Sequence, residues 1–203
     1  MKKYRKYLIV LVVILVIFVS YRPLLLWYFD VQEPKVESRE SLKEYLKSNQ
    51  WDFIKNIYTF KDAISLKKFY KTNHSLPDVN FFNSRGEFID YRKTPESCNA
   101  GVNVLLNNLG QLQNKTDSKI NIGNALANIV DDSGRQPLYE KNKYNYYVIL
   151  YWARYIGKLN KTKVFDWKQH IDNINKNNDT KIKMYFVNCD EQMFWSKIVK
   201  NYE

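Results

Sequence analysis

The sequence is poor in the residues that carry most enzyme chemistry: it has two cysteines, two histidines and six glycines in 203 positions. The glycines are scattered and form none of the glycine-rich patterns that bind phosphates or dinucleotides. His74 and His170 lie far apart in the chain and are too few to make a zinc site without further ligands. We therefore expect neither a metal ion nor a cofactor.

The two cysteines, Cys98 and Cys189, do not have the Cys-x-x-Cys spacing that marks a redox pair. Cys98 lies near the first turn of a predicted helix, where the helix dipole favours a thiolate. Cys189 follows a predicted strand, and active groups gather at strand ends in α/β sheets. Three interpretations stay open: two unpaired structural thiols, a structural disulfide, or a pair that carries out redox chemistry.

Acidic residues are missing from the first 29 positions, which carry five lysines and arginines. Residues 7–21 form an uncharged apolar run, Arg22 interrupts it, and residues 24–29 are apolar again. As a helix, residues 8–28 are long enough to cross a hydrocarbon core of about 30 Å. The basic start favours a cytoplasmic N-terminus. The sequence therefore predicts a signal-anchor in residues 1–29, with membrane lipid around residues 8–28 and the remaining chain on the periplasmic or extracellular side.

Two other interpretations of the apolar run stay open, a cleaved signal peptide and a buried helix of a soluble protein. Phe18-Val19-Ser20 matches poorly the small residues that precede a cleavage site. The net charge of the chain is +11, but beyond residue 29 the 27 basic and 21 acidic residues leave an excess of only six positive charges. Such a mild excess is typical of a solvated surface, and we expect no nucleic-acid partner.

Beyond the predicted anchor, the sequence divides into a tether with a helical segment, residues 30–75, and an α/β domain, residues 76–203. The first stretch, residues 30–38, is polar and predicts the tether. Residues 110–143 are polar and broken by glycine and proline. For them we expect a surface excursion with a short helix over residues 125–130.

Helical patterns occur at three places before the strongest strand signals. Ser38 or Ser41 is the predicted N-cap of a first helix, because apolar residues recur after them in the sequence at spacings of three and four. Residues 61–71 predict a second helix by the same periodicity. Thr94-Pro95-Glu96 opens a third one, since it combines a capping hydroxyl, a proline in the first turn and an acid near the positive helix end.

Strand signals predict a hairpin and a parallel unit. Residues 79–82 and 87–91 are joined by a turn that ends in glycine, which predicts a hairpin. Residues 146–152 are a continuous run of aromatic and β-branched residues, as expected of a central strand buried on both faces. A helix over residues 159–175 and a second buried strand at residues 182–187 complete a βαβ unit.

The stretch of residues 151–159 resembles the thioredoxin family, in which a central strand runs into an aromatic-Trp-Ala step and a Cys-Gly-Pro-Cys turn opens the next helix. The residues that fall on this pattern are Trp152, Ala153, Tyr155 and Gly157. The resemblance implies a thioredoxin-like fold for the α/β domain.

The departures from the family pattern bear on function. Ile156 and Leu159 occupy the two positions of the reactive cysteines, and Lys158 occupies that of the proline. Thiol–disulfide exchange needs a thiolate at the start of the helix, and a carbon side chain cannot supply one. The resemblance therefore implies a domain that lacks the family's redox chemistry.

A second part of the chain is similar to the later half of the family, in which a cis-proline precedes a hairpin and a helix follows. Pro77 would hold the place of that cis-proline, ahead of the hairpin in residues 79–91. In this chain the hairpin comes before the βαβ unit. Either the order of the two parts is permuted, or the hairpin is an N-terminal addition.

Together these features predict a membrane-anchored, redox-inactive thioredoxin-like domain that binds an unknown protein partner on the non-cytoplasmic side. Two alternatives stay open. One is a divergent envelope thiol oxidoreductase that uses Cys98 and Cys189, and the other is a purely structural envelope component. A redox assay separates the oxidoreductase from the other two, and recovery of a specific partner separates the binding domain from the structural component.

Overall fold

The computed structural model describes residues 7, 17, 21–51, 53–72, 75–92, 99–109, 116–177 and 179–195. Cys98, the predicted helix start at Pro95 and more than half of the predicted anchor, residues 8–28, lie outside these ranges. Within them, no helix combines the length and the apolar character that a membrane crossing needs.

The chain forms a mixed α/β structure with helices packed on a central sheet. The strands are β1 (Val36–Glu37), β2 (Tyr58–Phe60), β3 (Asp78–Asn83), β4 (Glu87–Ile89), β5 (Thr116–Asn121), β6 (Ile129–Val130), β7 (Tyr146–Trp152), β8 (Ile182–Asn188) and β9 (Glu191–Gln192). The helices are α1 (Arg39–Ser48), α2 (Ala63–Thr72), α3 (Val102–Asn107), α4 (Ile122–Leu126) and α5 (Asp166–Asn177). Between β7 and α5 lie a 3₁₀ turn (Arg154–Ile156) and a π-helical stretch (Asn160–Phe165).

Seven strands form the main sheet in the order β5-β4-β3-β7-β8-β2-β6. β7, β8 and β2 are parallel, and the pairs on either side of them are antiparallel. β1 and β9 pair with each other in parallel, apart from the main sheet. The predicted βαβ unit is confirmed, since β7 and β8 pair in parallel over their full length.

The central strand β7 connects the two apolar layers of the structure, and all seven of its residues are buried. Its side chains alternate between the faces of the sheet, as the period of a strand requires. Val148, Leu150 and Trp152 enter the layer on one face. Tyr147, Ile149 and Tyr151 enter the layer on the other face. The prediction of a central strand buried on both sides is therefore confirmed.

Each apolar layer is closed by helices. On the first face, α1, α3 and α5 contribute their buried stripes, and Trp51 packs against Trp152 with ring centroids 5.8 Å apart. On the second face, α2 and α4 cover the sheet together with Trp195. Burial of apolar surface on both faces is the main source of stability for such a three-layer arrangement.

Helix α1 begins where the sequence predicts, with Ser38 as its N-cap. The backbone N–H of Ser41 donates to the Ser38 hydroxyl, and the backbone N–H of Ser38 donates to the Ser41 hydroxyl, both at 3.1 Å. This reciprocal pair satisfies N–H groups that a helix start otherwise leaves without partners.

The predicted hairpin is confirmed as β3 and β4, which pair in antiparallel fashion. Between them, the side-chain oxygen of Asn83 accepts from the N–H groups of Arg85 and Glu87, both at 3.0 Å. Gly86 has φ +82°, a conformation that glycine adopts without strain. The peptide bond between Leu76 and Pro77, directly ahead of β3, is cis.

Residues 116–143, the described part of the polar stretch 110–143, contain more regular structure than the sequence predicts. β5 pairs with β4, and β6 pairs with β2, so these two strands form the edges of the main sheet. The expected helix over residues 125–130 is wrong in its position. The Asn121 side chain accepts from the N–H of Gly123 at 2.7 Å and starts α4 at Ile122. The apolar residues that follow α4 form strand β6 instead of extending the helix.

The central position of β7 predicts the result of placing a charge within it. Ile149 is fully buried, so Ile149→Asp puts an unpaired carboxylate between the apolar layers, at a cost of several kcal/mol. We expect this variant to lose the cooperative urea-unfolding transition of the wild type. Ile64→Asp is the matched control because Ile64 is 80% exposed on α2, and its free energy of unfolding should change by about 0.5 kcal/mol or less. A cooperatively folding Ile149→Asp variant would contradict this assignment of the core.

Candidate functional site

The carboxyl ends of β7, β8 and β2 meet at one edge of the main sheet, because these three strands are parallel. Ligands of α/β proteins bind outside this edge. The chain leaves β7 at Ala153 and leaves β8 at Cys189. The N–H of Cys189 donates to the carbonyl of Trp152 at 2.7 Å, so the two exits are bound to each other. We call this region the carboxyl edge.

A tight turn follows β7. Gly157 has φ +54° and ψ −126°, close to the values of the first central residue in a type II′ turn. Ile156 precedes Gly157, and Leu159 follows it by two residues. Ile156 is buried and Leu159 is half-buried, and both pack against the second apolar layer. The two positions that the resemblance assigns to thiols therefore carry apolar side chains that contact the core.

The turn is covered by the chain's own N-terminal segment, residues 28–37, which we call the strap. The N–H of Gln32 donates to the carbonyl of Tyr155 at 2.8 Å, and the N–H of Lys158 donates to the carbonyl of Phe29 at 2.8 Å. The ammonium of Lys158 lies 3.1 Å from the carbonyl oxygen of Tyr28. The polar stretch that predicts a tether thus lies against the domain.

The strap and the turn approach each other too closely for a side chain at position 157. A Cβ built on Gly157 would lie 2.1 Å from the carbonyl oxygen of Asp30 and 2.5 Å from that of Phe29. These are backbone atoms that cannot move aside independently. Glycine is therefore required at this position by both its positive φ and the contact with the strap.

The far end of the strap is fixed by β1, which pairs with β9, and by a charged contact. Glu37 is buried and accepts from the guanidinium of Arg154 at 2.8 Å. The Ser41 hydroxyl donates to the same carboxylate at 2.5 Å. Because a buried carboxylate is costly unless it is paired and hydrogen-bonded, these contacts hold Glu37 to the carboxyl edge.

A second buried carboxylate, Asp190, lies beside this pair. Its Oδ2 atom accepts from the backbone N–H of Arg154 at 2.6 Å and from the side chain of Asn188 at 2.7 Å. Burial raises the pKa of Asp190 to about 6, and the N–H of Arg154 opposes that shift. These hydrogen bonds join Asp190 to the turn after β7. No sequence motif marks this arrangement.

A cavity of about 400 Å³ opens beside Asp190. On its polar side, the hydroxyl of Tyr70 donates to the carbonyl of Cys189 at 2.8 Å and lies 3.2 Å from the hydroxyl of Tyr155. The cavity is lined by Pro34, Ala63, Leu66, Lys67, Tyr70, Tyr155, Cys189, Asp190, Glu191 and Trp195. Apolar walls with a few converging polar groups are typical of binding sites.

Cys189 is buried as a free thiol. Burial raises its pKa well above the usual value, and the neighbouring carboxylate of Asp190 adds to that effect. Because only the thiolate attacks disulfides, a thiol in this environment is a poor nucleophile. Cys98 lies outside the described residues, so the structure gives no geometry for a pair of the two cysteines.

The close contact at Gly157 predicts a difference between two glycines that share a positive φ. Gly157→Ala adds a clash with the strap to the backbone strain, so we expect the amides of Gln32 and Lys158 to exchange with solvent much faster. Gly134→Ala is the control because Gly134 has φ +77° and nothing lies within 4 Å of an added Cβ. The control should cost about 1–2 kcal/mol in free energy of unfolding and leave those amides protected. Equal exchange in both variants would contradict the proposed clash.

The raised pKa of Asp190 predicts a pH dependence of stability. The folded chain keeps this proton up to about pH 6, whereas a carboxyl group in the unfolded chain loses it near pH 4. The free energy of unfolding therefore falls as the pH rises through this window, by up to about 3 kcal/mol. Asp190→Asn removes this titration. In urea denaturation, the free energy of unfolding of the variant should therefore increase relative to that of the wild type as the pH rises from about 4 to about 6.

The comparison isolates Asp190 from other buried carboxyl groups. Burial also raises the pKa of Asp78, but Asp78 is present in both proteins and its effect cancels in the difference. Asp179→Asn is the matched control because Asp179 is exposed. If the profiles of wild type and Asp190→Asn run parallel across the window, Asp190 is not the titrating group.

The structure brings most of the residues singled out by the sequence to the carboxyl edge. Trp152 and Ala153 are buried at the end of β7, and Pro77 precedes Asp78, which pairs with Tyr151 near the same end. Among the described residues, no group of three His, Cys, Asp or Glu side chains is placed to hold a metal ion. No known protein family matches the chain, and neither does any curated protein or solved structure.

Proposed function

We propose that this is a single-pass membrane protein whose α/β domain has a thioredoxin-like fold, performs no redox chemistry and binds a protein partner on the non-cytoplasmic side. The observation that carries the proposal is the covered turn after β7. Ile156 is buried where the resemblance assigns a thiol, and the strap lies across Gly157 next to it. A turn in this state offers no nucleophile, which favours binding over catalysis.

The arrangement of the sheet supports the thioredoxin-like part of the proposal. The hairpin of β3 and β4 and the unit of β7 and β8 are the two parts that carry the resemblance. They lie side by side, because β3 pairs with β7 along six residues. A permuted domain requires that β3 and β7 pair, since the hairpin and the βαβ unit must share one sheet whatever their order in the chain. The proline ahead of β3 is cis, as the resemblance implies.

The residues just before the strap support the membrane anchor. Residues 21–28 are helical and exposed on all sides. Their large apolar side chains are largely exposed: the exposed fraction is 79% for Trp27 and 62% for Tyr28. A helix that is apolar all round is normally covered, and lipid is one medium that covers it. We therefore place these residues at the outer end of the membrane segment.

The cavity at the carboxyl edge is the surface that we assign to the partner. Leu66 and Trp195 give it apolar walls, and the hydroxyls of Tyr70 and Tyr155 give it hydrogen-bonding groups. An apolar or aromatic side chain of the partner with a polar tip would pack against these walls and bond to these hydroxyls. Such residues are common anchors in protein interfaces.

A photo-reactive amino acid at Lys67 tests this binding function in intact membranes, because the Lys67 side chain is exposed and lines the cavity. We expect a discrete cross-linked partner. Ala63→Trp should abolish the cross-link, since an indole at that wall fills the cavity. Ile64→Trp is the matched control: Ile64 is 80% exposed and does not line the cavity, so the cross-link should remain. A yield that is unaffected by Ala63→Trp would overturn the assignment of the surface.

A reductase assay and the cross-linking experiment together separate this binding function from the two alternative functions. The wild-type domain should not reduce insulin above background, because Cys189 is buried with a raised pKa. Reductase activity that disappears in Cys98→Ser or Cys189→Ser would establish the thiol oxidoreductase instead. A purely structural envelope component would give no cross-link that depends on the cavity.

A further inference from the structure

Three lysines follow the turn that the strap covers. Lys158, Lys161 and Lys163 are exposed at the start of the π-helical stretch, and no acidic residue occurs between them. Phe165, at the end of the same stretch, is 37% exposed. Basic side chains next to an exposed aromatic ring are typical of surfaces that lie against lipid headgroups.

The strap fixes this basic surface close to the outer end of the apolar helix. The backbone of Lys158 is hydrogen-bonded to Phe29, and its ammonium lies over the ring of Tyr28, 5.8 Å from the centroid. Lys161 and Lys163 are at most five positions further along a helical segment, which corresponds to about 8 Å along its axis. Lys158 therefore lies at the end of the helix, and Lys161 and Lys163 follow it within a short distance along the same segment.

The charges around this surface leave a small positive excess. The exposed acids are Asp30 and Glu33 of the strap and Asp166 at the start of α5, and the exposed Lys35 of the strap adds a fourth lysine. Glu37 is buried and paired with Arg154. Among the described residues, neither Lys161 nor Lys163 is within ion-pair distance of an acid. Their charges are therefore free to attract anions in solution or on a surface.

We propose that Lys158, Lys161 and Lys163 form a headgroup-binding surface that holds the domain against anionic phospholipids of the membrane in which the chain is anchored. This inference rests on the proposed anchor, because the anchor brings the surface within reach of the lipid. The strap orients the basic surface relative to the membrane, since it joins the end of the apolar helix directly to Lys158. Attraction of this kind falls off within a Debye length, so it acts only on groups held at the membrane.

Residue-resolved lysine modification of the full-length protein tests the proposal. The protein is reconstituted into vesicles of phosphatidylcholine alone or of phosphatidylcholine with phosphatidylglycerol, and a membrane-impermeant acylating reagent is followed by mass spectrometry. We expect Lys161 and Lys163 to react several-fold more slowly in the anionic vesicles at low salt. High salt should remove the difference, because the contact is electrostatic.

Lysines at the opposite edge of the domain are the internal control. Lys141, Lys176 and Lys183 are exposed near the amino ends of β7 and β8, and their rates should not depend on the lipid. Equal rates at Lys161 and Lys163 in the two lipids, in protein that resists an alkaline carbonate wash, overturn this inference and leave the anchor intact. Loss of the protein from the vesicles during that wash overturns the proposed membrane function and this inference with it.

Discussion

The contact between the strap and Gly157 organises the carboxyl edge of the sheet. The Asp30 carbonyl oxygen lies 2.1 Å from the position that a Cβ at residue 157 would take, so the strap passes directly over the turn after β7. Hydrogen bonds at Tyr155 and Lys158 hold the near end, and β1 holds the far end against β9. Pro34 lies between these two attachments and forms a wall of the adjacent cavity.

The polar residues beneath the strap complete this arrangement. Arg154 donates to Glu37 through its guanidinium and to Asp190 through its backbone N–H, so one residue joins the strap to the end of β8. Asn188 and Gln192 extend the network, since Gln192 donates to the side-chain oxygen of Asn188 at 3.0 Å. These hydrogen bonds join the strap, the turn after β7 and the end of β8 to one another.

The sequence predicts the centre of the fold better than its edges. Long apolar runs identify β7 and β8, and glycine in the turn identifies the hairpin of β3 and β4. β2, β5, β6 and the strap are short or polar segments that join the structure through backbone hydrogen bonds, which leave little pattern in the side chains. The site follows the same rule. The apolar side chains at Ile156 and Leu159 are visible in the sequence, whereas the Asp190 network depends on contacts between residues distant in the chain.

The double attachment of the strap has a mechanical consequence. A flexible linker absorbs movement between a domain and its attachment point, but here the segment that leaves the apolar helix is bonded to the domain from its first residues. Force applied between this helix and the domain therefore loads the hydrogen bonds of Gln32 and Lys158 together. A protein bound next to Pro34 would pull on the same segment, so tension at the cavity reaches residues 21–28 without first extending a slack chain.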